Sequence, residues 1–385
     1  MKTIASVTVA RSDYGIYRPV YRSIMQSPHL KLQVIAAGAH FSPLYGQTIR
    51  ELERDGMPIA ARVDLPMEAG SDTPAGITAH IGQSIAELGR VYDRLRPDVL
   101  LVLGDRIEMA AAVLAAQPFN IPVAHLHGGE VSLGAIDDVL RHAITQLSAI
   151  HFVSHEDHGR RVKQMGQDPS RIVVCGAPAL DNLKQMTLQS RDQILQQYGL
   201  KLPDTFALVV FHPVTRQPGQ AASQVAALLS AMKRTGLACV IGYPNADAEN
   251  LAIIQQIEAF VQADPRSITF RNVGIETYFS LMSHAKVMVG NSSSGIIEAA
   301  SLKLPVVNVG DRQKGRLHGI NVFDTPCDTQ AIINAITQAT SPQSLAAIAS
   351  MTNPYGDGRA SQRITTYLES LVIDDSLRMR PFRDL

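Results

Sequence analysis

Short apolar runs alternate with longer amphipathic segments along most of this 385-residue chain. Val99–Leu103, for example, precedes a helical pattern at Arg106–Gln117, and Ala238–Ile241 precedes another at Glu249–Ala263. Strands that are buried on both faces form continuous apolar runs, and the helices that connect parallel strands are amphipathic. The pattern therefore predicts an α/β protein built from parallel βαβ units.

The predicted strands fall into two groups. The first group lies near Ile4–Val9, Leu32–Ala37, Val99–Leu103, Pro122–Leu126, Ala149–Val153 and Ile172–Val174. The second group lies near Phe206–Phe211, Ala238–Ile241, Ile268–Phe270, Val287–Val289 and Val306–Val309. Between the groups, Gly176–Pro178 interrupts the pattern, and one polar helix is predicted from Asp181 to Tyr198.

A chain of 385 residues is too long for one core of ordinary size and fits two domains. We expect two Rossmann-like domains facing a cleft, at residues 1–180 and 181–359. A C-terminal helix and tail at 360–385 are expected to pack back on the first domain. Ligands of open parallel sheets bind at the carboxyl ends of the strands, so we expect the ligand between the strand ends of both domains.

The composition excludes several classes of partner. Apolar residues make up 45% and charged residues 18%, and the formal net charge is zero. This balance suits a globular protein and predicts neither a nucleic-acid partner nor binding to an anionic membrane surface. No apolar stretch reaches the roughly 20 residues of a membrane helix. Three widely separated cysteines favour reduced thiols, and we predict a cytoplasmic location.

The segment His125–His142 concentrates polar chemistry at the end of a predicted strand. Gly128 and Gly129 remove side chains, which would let a ligand approach the backbone. Candidates for acid–base work and charge stabilisation follow them, namely Glu130, Asp137, Arg141 and His142. The simpler alternative is that Asp137 and Arg141 form a surface ion pair one helical turn apart.

Histidines in and after this segment raise the question of a metal. His125 and His127 form a His-x-His pair, with His151, His155 and His158 further along the chain. No cysteine joins them, and the last three fit the start of a polar helix better than a ligand set. We therefore predict no metal site.

Two other strand ends in the first domain carry charged residues. Arg11 and Asp13 follow the first strand, where they would bind a phosphate or a ribose. Asp105 follows another strand and is a candidate general acid or base. The alternative for both aspartates is a helix cap, with Arg106 solvated on the first turn.

The second domain predicts an anion site. A small polar loop, Asn291–Gly295, leaves a strand and enters a helix near Ser294. Free backbone N–H groups, serine hydroxyls and the helix dipole bind anions without a basic side chain. Glu298, one turn on, would accept hydrogen bonds from ribose hydroxyls. His212 presents an imidazole at another strand end, and Arg312 would neutralise phosphate.

Motifs spread over essentially the whole chain resemble one family. They are Arg-Ser-Asp-Tyr at 11–14, Gly-Asp-Arg-x-Glu at 104–108, His-x-His-Gly-Gly-Glu at 125–130, Asp-Asp-x-x-Arg-His-x-Ile-Thr at 137–145, His-Pro-x-Thr at 212–215, Asn-Ser-Ser-x-Gly at 291–295, Arg-Gln-x-Gly-Arg at 312–316 and Asn-Pro-Tyr-Gly-Asp-Gly at 353–358. In this order they resemble the hydrolysing UDP-N-acetylglucosamine 2-epimerases. That resemblance implies a glycosyltransferase-B-type fold.

The resemblance also implies a reaction. UDP would be eliminated from the sugar to give a glucal, and water would then add to release free N-acetylmannosamine for sialic acid-type synthesis. The implied partner is a small nucleotide sugar, and no metal or redox cofactor is needed. A homodimer or homotetramer is the assembly that the resemblance suggests.

Site residues carry over by position. The implied catalytic residues are Asp105, His127, Glu130, Asp137, Arg141 and His212. The implied UDP-binding residues are Arg11, Asp13, Arg106, Asn245, Asn291, Ser292, Ser293, Gly295, Glu298 and Arg312.

One departure leaves the assignment of acid and base open. In some relatives the position of His127 carries a carboxylate, and the loop to Asp137 is one residue shorter. Similar motifs occur in enzymes that act on UDP-2,4-diacetamido-2,4,6-trideoxyglucose in the legionaminic acid route. The sugar therefore also stays open.

Three other functions compete with this one. Non-hydrolysing 2-epimerases, which interconvert UDP-sugars, carry Val-Glu-Ala-Gly-Leu-Arg where this chain has Leu126–Val131. A glycosyltransferase on the same fold would not need the carboxylate cluster. A non-catalytic UDP-sugar sensor would not need the acid–base residues.

Overall fold

The computed structural model describes residues 1–42, 47–64, 73–133, 138–214, 216–244, 249–271 and 273–379. The chain divides into two compact units. The first comprises Met1–Glu130, Asp137–Asn182 and Tyr355–Leu385, and the second comprises Val131–Ile136 and Leu183–Pro354. Each unit has one parallel sheet with helices between its strands, which confirms the predicted α/β class.

The first unit has a seven-stranded sheet in the order β3-β2-β1-β4-β5-β6-β7. Its strands are β1 (Lys2–Thr8), β2 (Leu30–Ala37), β3 (Ile59–Val63), β4 (Val99–Leu103), β5 (Val123–Leu126), β6 (Ile150–Val153) and β7 (Ile172–Val174). Its helices are α1 (Arg11–Gln26), α2 (Ile49–Arg54), α3 (Pro74–Leu95), α4 (Ile107–Ala116), α5 (Asp138–Leu147) and α6 (Glu156–Gln164). The chain passes to the second unit within α7 (Ala179–Gln185).

The second unit has a six-stranded sheet in the order β10-β9-β8-β11-β12-β13. Its strands are β8 (Phe206–Val210), β9 (Ala238–Gly242), β10 (Ile268–Phe270), β11 (Val287–Gly290), β12 (Val306–Val309) and β13 (Val322–Thr325). Its helices are α8 (Arg191–Tyr198), α9 (Ala221–Thr235), α10 (Asn250–Ala263), α11 (Gly274–His284), α12 (Ser293–Ile296), α13 (Thr329–Ala339) and α14 (Pro342–Ser350). The first unit then ends with α15 (Ala360–Ser370) and α16 (Asp375–Arg378).

Helix α15 is part of the first unit's core. Its Ile364 and Leu368 lie in the same buried cluster as Tyr17 and Tyr21 of α1. Asp181 also caps this helix, because its carboxylate accepts the Ala360 N–H at 2.9 Å. Apolar packing and this cap together tie the end of the chain to the first unit.

Two predicted helices differ from the structure, and two strands were not predicted. The polar helix expected from Asp181 to Tyr198 is two helices, because Ser190 and Gln193 form a capping box that starts α8. The strands β3 and β13 were not predicted, because Arg62 and Asp324 interrupt their short apolar runs. The helix expected from Ser294 to Leu302 is regular only over the four residues of α12.

Both sheets reverse their strand order at an equivalent place. In the first unit the reversal lies between β1 and β4, and in the second it lies between β8 and β11. The crevice at the carboxyl end of such a pair is the usual ligand site of an open α/β sheet. Within the described ranges, every helix is too short or too polar to cross a lipid bilayer.

Candidate active site

At the first unit's reversal point, Asp13 and Arg106 form an ion pair. Arg106 Nε donates to Asp13 Oδ1 at 3.1 Å, and the Val9 N–H donates to Asp13 Oδ2 at 3.3 Å. Burial raises the pKa of the Asp13 carboxyl, and the Arg106 charge opposes that rise. Arg11 lies in the first turn of α1 instead of in a loop, and its Nε is 3.3 Å from Glu51 Oε1.

Four of the predicted catalytic residues come together beside this point. Arg141, buried on α5, donates through Nη2 to Asp105 Oδ2 and through Nη1 to the His127 carbonyl at 3.3 Å. The same Nη1 lies 3.9 Å from Glu130 Oε2. One guanidinium therefore serves two carboxylates, of which Asp105 is the more accessible at 25% side-chain exposure. Arg141 is buried, so the simpler alternative of a surface ion pair does not describe it.

His127 sits at the centre of this cluster in a strained conformation. Its φ is 63°, a left-handed value that costs a non-glycine residue free energy. The His127 N–H donates to the Phe152 carbonyl at 3.0 Å, and Nδ1 lies 2.6 Å from Glu130 Oε1. Among the described residues, buried Nε2 has no hydrogen-bond partner.

His125, the other histidine of the His-x-His pair, forms hydrogen bonds that support the structure of the first unit. Its Nε2 faces the Gly104 carbonyl at 2.7 Å, so Nε2 must carry the hydrogen, and Nδ1 lies 3.2 Å from Thr145 Oγ1. Burial lowers the pKa of His125 to about 3, which keeps the ring neutral. His125 therefore links the ends of β4 and β5.

Gly128 and Gly129 stand where a side chain would press against neighbouring atoms. A Cβ on Gly129, whose φ is +75°, would lie 2.4 Å from the His158 carbonyl oxygen. A Cβ on Gly128 would lie 3.0 Å from His125 Nδ1. Close packing inside the first unit thus requires both glycines, and the expected approach of a ligand to their backbone is not needed to explain them.

Some predicted residues fall elsewhere. Asp137 and Asn245 lie outside the described residues. His142 Nε2 is 3.7 Å from Asp138 Oδ2 on the same helix. In the part of the chain that the structure describes, no three His, Cys, Asp or Glu side chains are grouped as metal ligands.

In the second unit, His212 and Asn291 face each other across the reversal point. The His212 N–H donates to Asn291 Oδ1 at 2.7 Å, and Asn291 Nδ2 donates to the His212 carbonyl at 2.8 Å. Arg312 and Gln313 both donate to the Asn291 carbonyl, at 3.1 and 2.9 Å. Burial, and then the Arg312 charge, hold the pKa of His212 well below its usual value, so this imidazole is neutral.

The serine loop after β11 forms a hydroxyl network. Ser292 caps α12 and its Oγ lies 2.7 Å from Ser294 Oγ, which is also 2.7 Å from the Tyr278 hydroxyl. Because α12 has only one turn, its dipole is weaker than the sequence pattern suggested. The backbone N–H groups and the hydroxyls, including that of Ser293, are the polar groups this loop offers. Gly295 is required by packing, since a Cβ there would lie 2.9 Å from Val306 Cγ1.

Glu298 follows this loop with an unusual carboxyl group. Burial raises its pKa to about 7, against a smaller opposing effect of Arg316. Its Oε2 is buried and has no hydrogen-bond partner among the described residues. An unpartnered carboxyl oxygen is free to accept a hydroxyl from a ligand.

Several polar residues of both sites were not predicted. Ser154 and His158 contact the Glu130 side of the first cluster, and Tyr278 and Gln313 contact the second. Ser154 had a usable signal, since it directly follows the predicted strand Ala149–Val153 and so ends at the same sheet edge. Gln313 stands in the Arg-Gln-x-Gly-Arg motif, from which only Arg312 was carried over. His158 and Tyr278 lie on helices whose sequence shows no such position.

Comparison with known proteins connects this chain to one family. A family model described as UDP-N-acetylglucosamine 2-epimerase matches residues 22–369. A hydrolysing UDP-N,N'-diacetylbacillosamine 2-epimerase of Legionella pneumophila is 34% identical over 377 residues, which cover 98% of each chain. A UDP-N-acetylglucosamine 2-epimerase of Neisseria meningitidis serogroup B is also 34% identical, over 89% of this chain and 88% of the relative.

Solved structures show the same fold. A structure of MnaA from S. aureus with UDP has a TM-score of 0.79 at 19% identity, and 96% of each chain is covered. This likeness extends over both units, and it confirms the expected fold of two Rossmann-like domains of glycosyltransferase-B type.

Proposed function

This chain belongs to the UDP-N-acetylglucosamine 2-epimerase family, and we propose that it is a hydrolysing enzyme that converts UDP-N-acetylglucosamine to UDP and free N-acetylmannosamine. One observation carries the proposal beyond the family. In the first unit, Arg141 joins two carboxylates, Asp105 and Glu130, beside His127, whose Nε2 has no hydrogen-bond partner in the described part of the chain. Such a cluster suits proton transfer at a sugar carbon.

The proposed reaction needs two proton carriers. Elimination removes the C2 proton and breaks the bond between C1 and the diphosphate oxygen, which leaves a glucal. Hydration then adds water at C1 and returns a proton to the other face of C2, which inverts that centre. The first unit offers an imidazole, His127 backed by Glu130, and a carboxylate, Asp105, for these two roles.

Arg141 would serve the charge that develops during both steps. It already donates to Asp105 and to the His127 carbonyl, so it holds the two proton carriers in fixed positions. Its guanidinium remains charged throughout, which stabilises anionic character at low energetic cost. Asp137 stays in the proposed catalytic set on the family match.

We assign UDP binding in the second unit to neutral donors and one cation. His212, which the resemblance placed among the catalytic residues, would here donate to the diphosphate together with Ser292 and Ser293. Arg312 would add charge, and Glu298 would accept the ribose hydroxyls. The rest of the proposed UDP set also stays as the sequence predicted it: Arg11, Asp13, Arg106, Asn245, Asn291 and Gly295.

A second substrate is favoured by a specific observation. The Legionella pneumophila relative named for UDP-N,N'-diacetylbacillosamine has the same 34% identity as the Neisseria meningitidis relative named for UDP-N-acetylglucosamine, and its match covers 98% of this chain against 89%. The second candidate is therefore UDP-2,4-diacetamido-2,4,6-trideoxyglucose, on which the same elimination and hydration would act.

Incubation with each sugar nucleotide in deuterated water tests the proposal. We expect release of UDP and of a free 2-epimerised sugar that carries deuterium at C2, with the preferred sugar given by the higher kcat/KM. A UDP-linked epimer would show a non-hydrolysing enzyme. Transfer to an acceptor, or no turnover of either nucleotide, would overturn the proposal.

A further inference from the structure

A chain of buried hydrogen bonds extends from Glu130 away from His127. Ser154 Oγ donates to Glu130 Oε1 at 2.7 Å, and the same Oγ lies 3.0 Å from His158 Nδ1. All four side chains are less than a tenth exposed. The strands that bring them together are neighbours, because β5 leads to His127 and β6 leads to Ser154.

We propose that Ser154 and His158 are positioning residues, which fix His127 in the tautomer whose Nε2 lone pair is free. The role that this gives His127 in catalysis rests on the proposed function. Neither residue is assigned contact with the substrate. Both act through Glu130.

The donor and acceptor of each hydrogen bond follow from counting the hydrogens that each side chain carries. Ser154 donates to Oε1 of Glu130 and the Arg141 guanidinium lies 3.9 Å from its Oε2, so both carboxylate oxygens face donors and act as acceptors. Ser154 gives its single hydroxyl hydrogen to Glu130, so its lone pair must receive the hydrogen on His158 Nδ1. His127 Nδ1, at 2.6 Å from the same carboxylate oxygen, must also carry its hydrogen. Every donor thus points toward Glu130, and the His127 lone pair is left on Nε2.

The surroundings keep this arrangement in one state. Burial lowers the pKa of His158 to about 4, so that ring is neutral and has one hydrogen to place. The His155 and Tyr355 rings lie 5.9 and 6.2 Å from it, and Arg161 donates to the Gly129 carbonyl. Among the described residues, the other charged or titratable groups near these hydrogen bonds are Arg141 and Asp105, and His125 and His151 on strands β5 and β6.

His125 provides a contrast inside the same unit. Its Nε2 faces the Gly104 carbonyl, so it must hold the opposite tautomer from the one assigned to His127 and His158. The two tautomers are distinguishable, because the protonated ring nitrogen and the bare one have different ¹⁵N chemical shifts. One spectrum of the resting protein can therefore report all three histidines.

The first test is the tautomer of each histidine in the ligand-free enzyme. Long-range ¹H–¹⁵N spectra of the ¹⁵N-histidine protein, which has 12 histidines, would be assigned with single His→Asn variants. We expect hydrogen on Nδ1 in His127 and His158, and on Nε2 in His125. Hydrogen on Nε2 of His158 or His127 would overturn the proposal.

The second test uses variants that remove a hydrogen-bond donor at each of two points between His158 and Glu130. Ser154→Ala removes one donor from Glu130, and His158→Leu removes the donor to Ser154. We expect each to lower kcat at least tenfold with less than a twofold change in KM. Loss of a donor to a carboxylate favours its protonated form, so the acidic limb of the pH profile of kcat/KM should move to higher pH.

Matched variants separate positioning from packing. His158→Asn places an amide N–H where Nδ1–H stood and should keep kcat within about threefold of the native enzyme. Ser148→Ala removes another fully buried serine of this unit, one that donates to the Ile144 carbonyl at 2.7 Å, and should leave the pH profile in place. If Ser154→Ala behaves like Ser148→Ala, or if His158→Asn is as impaired as His158→Leu, the positioning role is wrong.

The two tests also keep this proposal apart from the proposed function. If the native protein turns over neither sugar nucleotide but His158 and His127 carry hydrogen on Nδ1, the assigned arrangement stands and the epimerase proposal fails. If turnover is found with the opposite tautomers, the epimerase proposal stands and Ser154 and His158 have no positioning role.

Discussion

The two units place different residues at the same topological position. Gly104 and Asp105 follow β4 in the first unit, and Gly290 and Asn291 stand at the end of β11, the equivalent strand of the second. Asp105 is a quarter exposed and pairs with Arg141. Asn291 is fully buried, and its side chain forms two hydrogen bonds with the backbone of His212. The same position in the sheet thus holds a charged side chain, Asp105, in the first unit and a side chain that fixes a loop, Asn291, in the second.

The surrounding charges follow the same division. The first unit's cluster has two carboxylates around one guanidinium, which suits proton transfer. The second unit's described residues offer a neutral His212, serine hydroxyls, and a Glu298 carboxyl with a pKa of about 7. The neutral His212 and the serine hydroxyls do not repel a diphosphate, and Glu298 is assigned to the ribose hydroxyls instead. The comparison therefore predicts catalysis in the first unit and anion binding in the second.

Alanine at the two equivalent glycines should show the largest difference. A Cβ on Gly290 would lie 2.0 Å from the Val210 carbonyl oxygen, so Gly290→Ala must displace the end of β8 or β11. We expect a loss above about 4 kcal/mol, enough to unfold the second unit. A Cβ on Gly104 meets nothing within 4 Å, and only its φ of +71° is unfavourable. Gly104→Ala should cost about 1–2 kcal/mol.

Calorimetric unfolding of both variants measures this difference. Gly199→Ala, at a positive-φ helix end where a Cβ also meets nothing within 4 Å, is the control for the cost of φ alone. Similar melting temperatures for Gly290→Ala and Gly104→Ala would show that close packing at the end of β11 is not what distinguishes the two units.

Asp105→Asn should have the next largest effect, and on activity instead of folding. The substitution keeps the size of the side chain but removes the charge that pairs with Arg141. We expect kcat to fall by about 10²–10⁴. The melting temperature should change by only a few degrees, because the side chain is a quarter exposed.

The control for Asp105→Asn is Asp93→Asn, which breaks an exposed ion pair with Arg96. It should leave kcat unchanged. Equal losses of melting temperature and of activity in Asp105→Asn would instead assign Asp105 a structural role, and the contrast with Asn291 would lose its functional meaning.

The alternation of apolar runs was enough to predict the frame. Strands such as Val99–Leu103 are continuous apolar runs, and their order along the chain predicts parallel βαβ units. The break at Ser190 was not predicted, since the stretch 181–198 has helical residues on both sides and only the capping box marks the new start. Strand β13 was not predicted because Asp324 interrupts its short apolar run.

Residues of the candidate site were predictable where they belonged to a motif, as Asp105, Glu130 and Arg141 did. His127 and Glu130 are three residues apart and could be paired from the sequence. Ser154 is 24 residues from Glu130, and only the pairing of β5 with β6 brings them together. The glycine pair shows a different limit, because a sequence cannot distinguish room for a ligand from contact with a neighbouring helix.

The smallest expected effect concerns the stability of the second unit at different pH. The folded Glu298 carboxyl has its pKa raised from 4.5 to about 7 by burial. Between these values the folded protein keeps a proton that the unfolded chain releases, so native stability falls as pH rises, by at most about 1.4 kcal/mol per pH unit. Glu298→Gln has no proton to lose. Its melting temperature relative to the native enzyme should therefore rise from pH 5 to pH 8.

The same variant should bind UDP more weakly, since an amide accepts hydroxyls less well than the carboxylate proposed to hold the ribose. Differential scanning calorimetry at both pH values, with and without UDP, measures the two effects together. Glu258→Gln, whose carboxyl is 46% exposed, should change neither. A Glu298→Gln variant that is less stable than the native enzyme at pH 8 would show that this carboxylate stabilises the fold. A gain in stability with a loss of UDP affinity is what a buried acid kept for a ligand predicts.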